Sequence, residues 1–243
     1  MSLTIADKTV LVTGANRGLG RALVDEALRR GAGRVYAASR QSIAVRDKRV
    51  RPVVLDVTDQ AQIREAADGV ESLELLINNA GVSVPDDLSD RGALERHLAV
   101  NLHGTLDVTQ AFVPALARSH GAVVNVVSLG AVAAVPVLPA YSISKAAQMS
   151  VTQSLRALLA ARGVRVHAVL PGPIDTDMVR DLDLPKSPPA DVARAILDGV
   201  ERGEEEIFPD PLSQLLADGW RSGVAKALER QNAALVVGEP LVA

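Results

Sequence analysis

The chain has no cysteine. That absence removes a disulfide framework, a thiolate nucleophile and any cysteine-based metal site, and it suits a reducing cytoplasm. The four histidines, His97, His103, His120 and His167, are scattered without ligand spacing, so no metal site is expected. A surplus of positive charge is also missing. Lys and Arg number 26 against 29 Asp and Glu, a net charge of −3, which argues against a nucleic-acid binder. Arg46, Lys48, Arg49 and Arg51 come nearest to a basic cluster and read as a solvated loop. The first residues, MSLTIADKTVLVTG, lack a charged segment followed by a long apolar one, so no signal peptide is expected. Residues 119–143 hold no Asp, Glu, Lys or Arg, but Asn125, Ser128, Pro136 and Pro139 interrupt them. A membrane-spanning helix needs ~20 predominantly apolar residues. A strand followed by a loop accounts for the stretch better, and a soluble, cytoplasmic protein is expected.

What is present is regular alternation. The 243 residues, 48% hydrophobic, suffice for one sizeable core. Short apolar runs at 9–13, 35–38, 53–55, 73–77, 122–127, 164–169 and 206–208 read as strands. Helical periods fall between them at 21–30, 59–70 (with Thr58 as N-cap), 92–117, 141–161 and 190–201, and a last helix is expected over 212–231. Strands alternating with helices predict parallel βαβ units. The expected fold is therefore α/β, a Rossmann-type doubly wound parallel sheet of about seven strands with helices on both faces. No repeat or linker divides residues 1–243, so they form a single domain.

Two stretches carry chemistry. After the first strand, Gly14, Gly18 and Gly20 allow a tight turn and a close backbone approach to a pyrophosphate, whose charge suits the N-terminus of the helix that follows. The second stretch is SLGAVAAVPVLPAYSISK, residues 128–145. Tyr141 and Lys145 are four residues apart, so on a helix they share one face with Cβ atoms about 5–6 Å apart. An ammonium there favours phenolate over phenol and is expected to pull the tyrosine below its usual pKa of about 10. Ser128 adds a hydroxyl able to hydrogen-bond the oxygen that the tyrosine protonates. These are the parts needed to move a proton on or off an alcohol oxygen. Tyr-x-x-x-Lys occurs by chance in many helices; its weight here comes from the rest of the chain.

The chain resembles the short-chain dehydrogenases/reductases. Thr13-Gly14-Ala15-Asn16-Arg17-Gly18-Leu19-Gly20 is similar to that family's dinucleotide loop, Asp56-Val57 to its adenine-side turn, and Asn78-Asn79-Ala80-Gly81 to its motif after the fourth strand. Asn101 stands where the family has a helix asparagine. Ser128, Tyr141 and Lys145 match its catalytic residues, with Tyr141 thirteen positions after Ser128. Pro171-Gly172 resembles the nicotinamide-side turn, with Ile174 close by, and Thr176 the threonine that holds the carboxamide. The match runs in order from residue 7 to about 208.

The resemblance implies a nicotinamide-dependent oxidoreductase in which Tyr141 is the general acid/base. Lys145 lowers the Tyr141 pKa and holds the ribose, Ser128 positions the substrate oxygen, and Asn101 holds a water that links Lys145 to a proton relay. It also implies that Gly14, Asn16, Arg17, Gly18, Leu19, Gly20, Asp56, Val57, Asn79, Ala80, Gly81, Tyr141, Lys145, Pro171, Gly172, Ile174 and Thr176 contact the dinucleotide. The second strand ends in Ser39-Arg40 with no carboxylate, where an acidic residue would bind ribose hydroxyls and repel a 2′-phosphate. Arg40 offers a planar fork for phosphate, Ser39 a hydroxyl, and Arg17 reaches the same corner, so NADP(H) is the expected cofactor. The substrate pocket is expected from Ser128, Leu129, Gly130, Val135, Tyr141, Pro173 and Met178, under a proline-rich loop over about 173–189. Its small aliphatic lining suits a modest, apolar ketone, aldehyde or secondary alcohol. A dinucleotide sensor or scaffold is the alternative, against which the retained Asn101, Ser128, Tyr141 and Lys145 speak. A homodimer or homotetramer is implied by the family, and residues 104–116 and 149–160 are small and apolar enough for a helix bundle. Trp220, the only tryptophan, is expected to cap the pocket or a subunit contact, or to pack in the core.

Overall fold

Seven parallel strands form the spine of the computed structural model, which describes residues 3–180 and 183–236. They are β1 (Thr9–Thr13), β2 (Arg34–Ser39), β3 (Val50–Val54), β4 (Leu75–Asn78), β5 (Ala122–Val126), β6 (Arg165–Val169) and β7 (Glu206–Ile207), in the order β3-β2-β1-β4-β5-β6-β7. The β4 and β5 side chains are buried throughout, as expected of mainly aliphatic strands covered on both faces; their two polar members, Asn78 and Asn125, are buried and hydrogen-bonded to each other. Helices α1 (Gly18–Arg29) and α6 (Pro189–Arg202) cover one face; α2 (Gln60–Asp68), α4 (Thr105–Ser119) and α5 (Pro139–Ala160) cover the other. Between α2 and α4 lies α3 (Arg91–Leu98). Strand order runs outward from β1 to β3 and then returns to β4 on the other side of β1. At that reversal a crevice opens beyond the carboxyl ends of the strands, where ligands of this fold class bind.

Several element boundaries differ from the sequence expectation, each for a local reason. Helix α1 begins at Gly18, so the glycine loop supplies its first turn. Asp59, not Thr58, caps α2 by accepting from the backbone N–H of Ala61 and Gln62; the Thr58 hydroxyl instead donates to Asp56. Pro139 starts α5 two residues before Tyr141, at a position where its missing N–H costs nothing. Arg51, read as part of a solvated loop, lies within the edge strand β3, where its side chain reaches solvent. The long helical period after residue 91 is not uniform. A π-helical turn, Ala99–Gly104, separates α3 from α4.

The single C-terminal helix expected over 212–231 is two: α7 (Pro211–Arg221) and α8 (Val224–Ala233). Gly223 between them is extended, at φ −75° and ψ 160°, and a Cβ there would lie 2.7 Å from the Gly219 carbonyl oxygen. Helix α7 brings Trp220 onto a small apolar cluster with Phe208, Ala217 and Met149, next to Leu129 and Ala131, so its role is packing. A buried ion cluster ties α8 down. Lys226 Nζ reaches Glu205 at 2.7 Å, Glu206 at 2.9 Å and Glu229 at 3.0 Å, and Arg156 from α5 pairs with the last two.

The small and apolar residues of α4 and α5 are used mainly within the subunit. Val108, Phe112, Val113, Leu116, Leu155 and Leu159 pack against the sheet. Ile143 and Leu158 remain exposed on α5. No helix among the described residues is long and apolar enough to cross a membrane.

Candidate active site

The glycine loop sits at the carboxyl end of β1. Gly14 and Gly18 adopt φ of +66° and +53°, which side-chain-bearing residues rarely do. Gly20 is required for a different reason: a Cβ there would lie 2.1 Å from the Gly14 carbonyl oxygen. The loop is held from β4 by Asn79, whose Nδ2 donates to the carbonyls of Thr13 and Gly14 at 2.9 and 3.3 Å. The Thr13 hydroxyl in turn accepts from the N–H groups of Asn79 and Ala80, both at 3.0 Å. Leu19 is buried beneath the loop, while Asn16 and Arg17 are exposed. This bare backbone at a helix N-terminus, over the strand reversal, fits a dinucleotide pyrophosphate.

The other residues expected to contact the cofactor fall at or after the carboxyl ends of the strands. Ser39 is buried and donates to the Gln41 carbonyl at 2.6 Å; Arg40 beside it is exposed. Asp56 is held below the usual carboxylate range by the Thr58 backbone N–H and hydroxyl, with the Arg40 charge contributing. Val57 packs against Gly104, where a Cβ would approach it to 2.7 Å. Gly172 donates its N–H to Asp210 at 2.8 Å, Pro171 is buried, and the Ile174 carbonyl accepts from the Thr176 hydroxyl at 3.3 Å. Thr176 lies against Gly18. Arg17 differs from expectation, since it turns across the crevice mouth to Asp177 at 2.7 Å instead of toward Arg40. Both partners are exposed, and such pairs are worth ~0–1 kcal/mol, so the contact yields readily to a stronger anion.

Ser128, Tyr141 and Lys145 converge beyond β5 and β6. Ser128 follows β5, and its hydroxyl accepts from the Gly130 N–H at 3.0 Å while hydrogen-bonding the Tyr141 phenol. The first turn of α5 carries Tyr141, and Lys145 lies one turn on, its Nζ 5.8 Å from the tyrosine ring centroid. Lys145 is buried and donates to the Val126 carbonyl at 2.9 Å and to Gln148 Oε1 at 2.8 Å. Burial pulls its pKa down from 10.5 to about 7. Burial also pushes the Tyr141 pKa up, with the Ser128 hydrogen bond opposing. The expected depression of Tyr141 by the lysine is therefore reversed in this structure. The Lys145 amine points at Val126 and Gln148, and loss of water around the phenol outweighs a cation placed over the ring.

Asn101 is fully buried in the π turn, and its amide is committed. Oδ1 accepts from the Val82 N–H at 2.9 Å, while Nδ2 donates to the Val82 carbonyl at 3.0 Å and to Ser144 Oγ at 2.9 Å. It thus fixes the segment after β4 against α5. Of the expected pocket residues, Gly130 lies beside Ser128 and Tyr141, Val135 is joined to α5 through its N–H to Ser142 Oγ at 2.9 Å, and Met178 stands exposed at the outer rim. Pro173 accepts from the Ser187 N–H at 2.9 Å, closing the base of the following loop. Asp181 and Leu182 of that loop lie outside the described residues.

Sequence reasoning missed four supporting residues. His97 is buried edge-on to the Tyr141 ring, centroids 6.5 Å apart. Its Nε2 accepts from the Val84 N–H at 3.1 Å, so Nδ1 carries the proton and donates to the Ala93 carbonyl at 2.7 Å. Asp86 accepts from the Ala140 N–H at 3.2 Å, next to the exposed start of α5. Gln148 and Thr105 lie behind Lys145. Among the described residues no group of three or more His, Cys, Asp and Glu is placed to hold a metal.

The chain is similar to known proteins. Residues 8–186 fit the model of the short chain dehydrogenase family. The chain belongs to that family. A short chain dehydrogenase from Burkholderia cenocepacia, solved in complex with NADP, superposes with a TM-score of 0.85 at 39% identity, covering 94% of this chain and 99% of that one. The 3-amino-tetrahydro-pyrrolizinone reductase of Xenorhabdus hominickii is 37% identical over 180 residues, 70% of this chain; the chain spans 62% of that reductase's length. Oxidoreductase UcpA of Escherichia coli is 31% identical over 230 residues, 84% of this chain and 88% of UcpA. This short-chain dehydrogenase is thus placed among oxidoreductases.

Proposed function

We propose that this short-chain dehydrogenase uses NADP(H) to interconvert a modest, mainly apolar ketone or aldehyde and the corresponding alcohol. The observation that carries the reading is the convergence of Ser128, Tyr141 and Lys145 beside the bare glycine loop. Bound there, the nicotinamide supplies or accepts the hydride. The chain's own residues manage the proton and the orientation. Ser128 donates a hydrogen bond to the substrate oxygen, and Tyr141, whose raised pKa keeps it protonated at neutral pH, gives that oxygen its proton during reduction. Lys145 presents its remaining N–H to the ribose side of the crevice. The side chains of Leu129, Val135 and Met178, with Pro173, offer the substrate an apolar surface. Exposed Val84, Val132 and Val137 extend it.

Preference for the phosphorylated cofactor rests on Arg40, exposed at the end of β2 with Asp56 near enough to feel its charge, and on Arg17, whose weak surface pair with Asp177 a phosphate displaces. The solved Burkholderia relative with NADP supports the same choice. Exposed Ile143 and Leu158 on α5 support self-association as a homodimer or homotetramer.

The test is consumption of NADPH and of NADH over a panel of aliphatic and aryl ketones and aldehydes. NADPH is expected to be preferred in kcat/KM. Arg40→Ala is expected to cut that preference by about tenfold or more, the worth of hydrogen bonds to a charged group. Equal use of both cofactors by the wild type would overturn the phosphate assignment. Tight dinucleotide binding without turnover of any carbonyl would favour the sensor.

A further inference from the structure

Helix α5 carries a polar stripe on the face it turns inward. Tyr141, Lys145, Gln148 and Thr152 follow one another at three- and four-residue spacing, and the last three are at most 4% exposed. A second stripe faces it from the π turn and α4: Asn101, Thr105 and Thr109, all buried. The two are joined across an otherwise apolar layer. Asn101 bonds Ser144, Thr105 bonds Gln148, and Thr109 is linked through Asn78 and Asn125 to Thr152. Buried polar side chains are costly unless paired, and this seam ends at Lys145.

The orientation of the Gln148 carboxamide follows from its neighbours. Lys145 Nζ can only donate, so the group 2.8 Å from it is the carboxamide oxygen. The Thr105 hydroxyl spends its proton on the Asn101 carbonyl at 3.0 Å, so its oxygen accepts from Gln148 Nε2, also at 3.0 Å. The path from the lysine to the Asn101 backbone therefore runs Lys145, Gln148, Thr105, Asn101, with each hydrogen bond pointing away from the amine. With Val126 and Gln148 taking two of the three Nζ hydrogens, the third is directed into the cleft bounded by Tyr141 and Gly81. A Cβ built on Gly81 would lie 3.8 Å from Nζ.

We infer that Gln148 is a positioning residue for the reaction, holding the Lys145 amine so that its free N–H faces the cleft, and doing so with a neutral acceptor. The inference rests on the roles given to Tyr141 and Lys145 above. A carboxylate in the same place would hold the ammonium equally well but would stabilise its charge; an apolar side chain would do neither. A carboxamide keeps the geometry while leaving the lysine able to titrate near neutrality. The titratable groups facing Lys145 are Tyr141 on its own helix and, beyond it, His97 on α3. From β5, the π turn and the segment after β4 the neighbours are Val126, Asn101 and Gly81, none of which titrates. Gln148 is thus the side-chain hydrogen-bond partner through which a substitution reaches the lysine's charge.

The experiment compares wild type, Gln148→Glu and Gln148→Met, with Tyr141→Phe alongside, on the ketone that the wild type reduces fastest. Activity is read from pH 5 to 10, and the melting temperature of the cofactor-free protein over the same range. Gln148→Glu is expected to move the alkaline fall in reduction upward by about one pH unit or more, with the same displacement in the pH dependence of melting. Gln148→Met is expected to move it downward and to lower kcat about tenfold at neutral pH, with KM for the ketone little changed. If Gln148→Met does not fold, the isosteric Gln148→Glu decides. Wild-type pH profiles in the variants, with Tyr141→Phe inactive, overturn the inference alone. An active Tyr141→Phe overturns the assigned proton donor and the inference with it.

Discussion

Tyr141→Phe is expected to lower kcat for ketone reduction by about 10²–10⁴-fold, the range that a positioned proton donor contributes, while leaving NADPH affinity within a few-fold of wild type. In the proposed mechanism the phenol lies beside Ser128, which orients the substrate oxygen. Phenylalanine fills the same volume against His97 and Gly130 but has no proton to give. The pH dependence has a definite sign. Tyr141 remains a phenol at neutral pH because burial raises its pKa. The limiting titration in reduction is then Lys145, charged below pH 7 and neutral above it. Reduction is expected to fall as pH rises through about 7, whereas alcohol oxidation, which needs the phenolate, strengthens toward alkaline pH. Steady-state kinetics in both directions, paired with a fluorescence titration of NADPH, check this. Wild-type kcat in the variant would remove Tyr141 from the mechanism.

Lys145→Met is expected to abolish turnover and at the same time to stabilise the protein. The lysine titrates at about 7 when folded and near 10.5 when free. Between those values the unfolded chain binds a proton that the folded one does not, so stability rises with pH across that window, and the full penalty of burying the charge applies below pH 7. A shift of this size corresponds to roughly 5 kcal/mol. The Val126 carbonyl and the Gln148 carboxamide lose a partner in the variant, at about 1 kcal/mol each, leaving a net gain of ~3 kcal/mol at pH 6 to 7. For a chain of this length that raises Tm by about 6–12 °C. The gain should shrink as pH rises and be gone near pH 10. Calorimetry at pH 6, 8 and 10 reads it directly, and a Tm difference that does not vary with pH would mean that the lysine is not buried at such cost. The expected outcome is a site that trades stability for a titratable amine.

What the sequence made legible was the part written in local pattern. Thr9–Thr13 reads as a buried strand because Val10, Leu11 and Val12 form an aliphatic run flanked by β-branched threonines, and Gly14, Gly18 and Gly20 read as a turn because only bare backbone allows that geometry. The convergence of Ser128, Tyr141 and Lys145 follows from strand order together with helical spacing. Features that depend on what packs against what were hidden. Nothing in the periodicity of residues 92–117 marks the π turn at Ala99–Gly104, because the Asn101 amide reaches Val82 and Ser144 only in the folded chain. The partial burial of Tyr141, which turns its pKa upward, likewise depends on neighbours far away in sequence. Gln148 was within reach: a glutamine three residues after Lys145, on the inward face of an apolar helix, is a polar group in need of a partner.

The position of β1 has a consequence for synthesis. This strand is made first, yet it lies between β2 and β4, and its register with β4 joins Val10 to Leu75. Until the ribosome has delivered residue 78, one edge of this strand stays open, and the glycine loop lacks the Asn79 side chain that holds it. The N-terminal portion of the nascent chain can pair β1 with β2 and β3, but it presents a sticky, unclosed ribbon. Dinucleotide capture is therefore a late event in the life of the chain, and the interval before β4 arrives is when the protein most depends on not meeting its own copies.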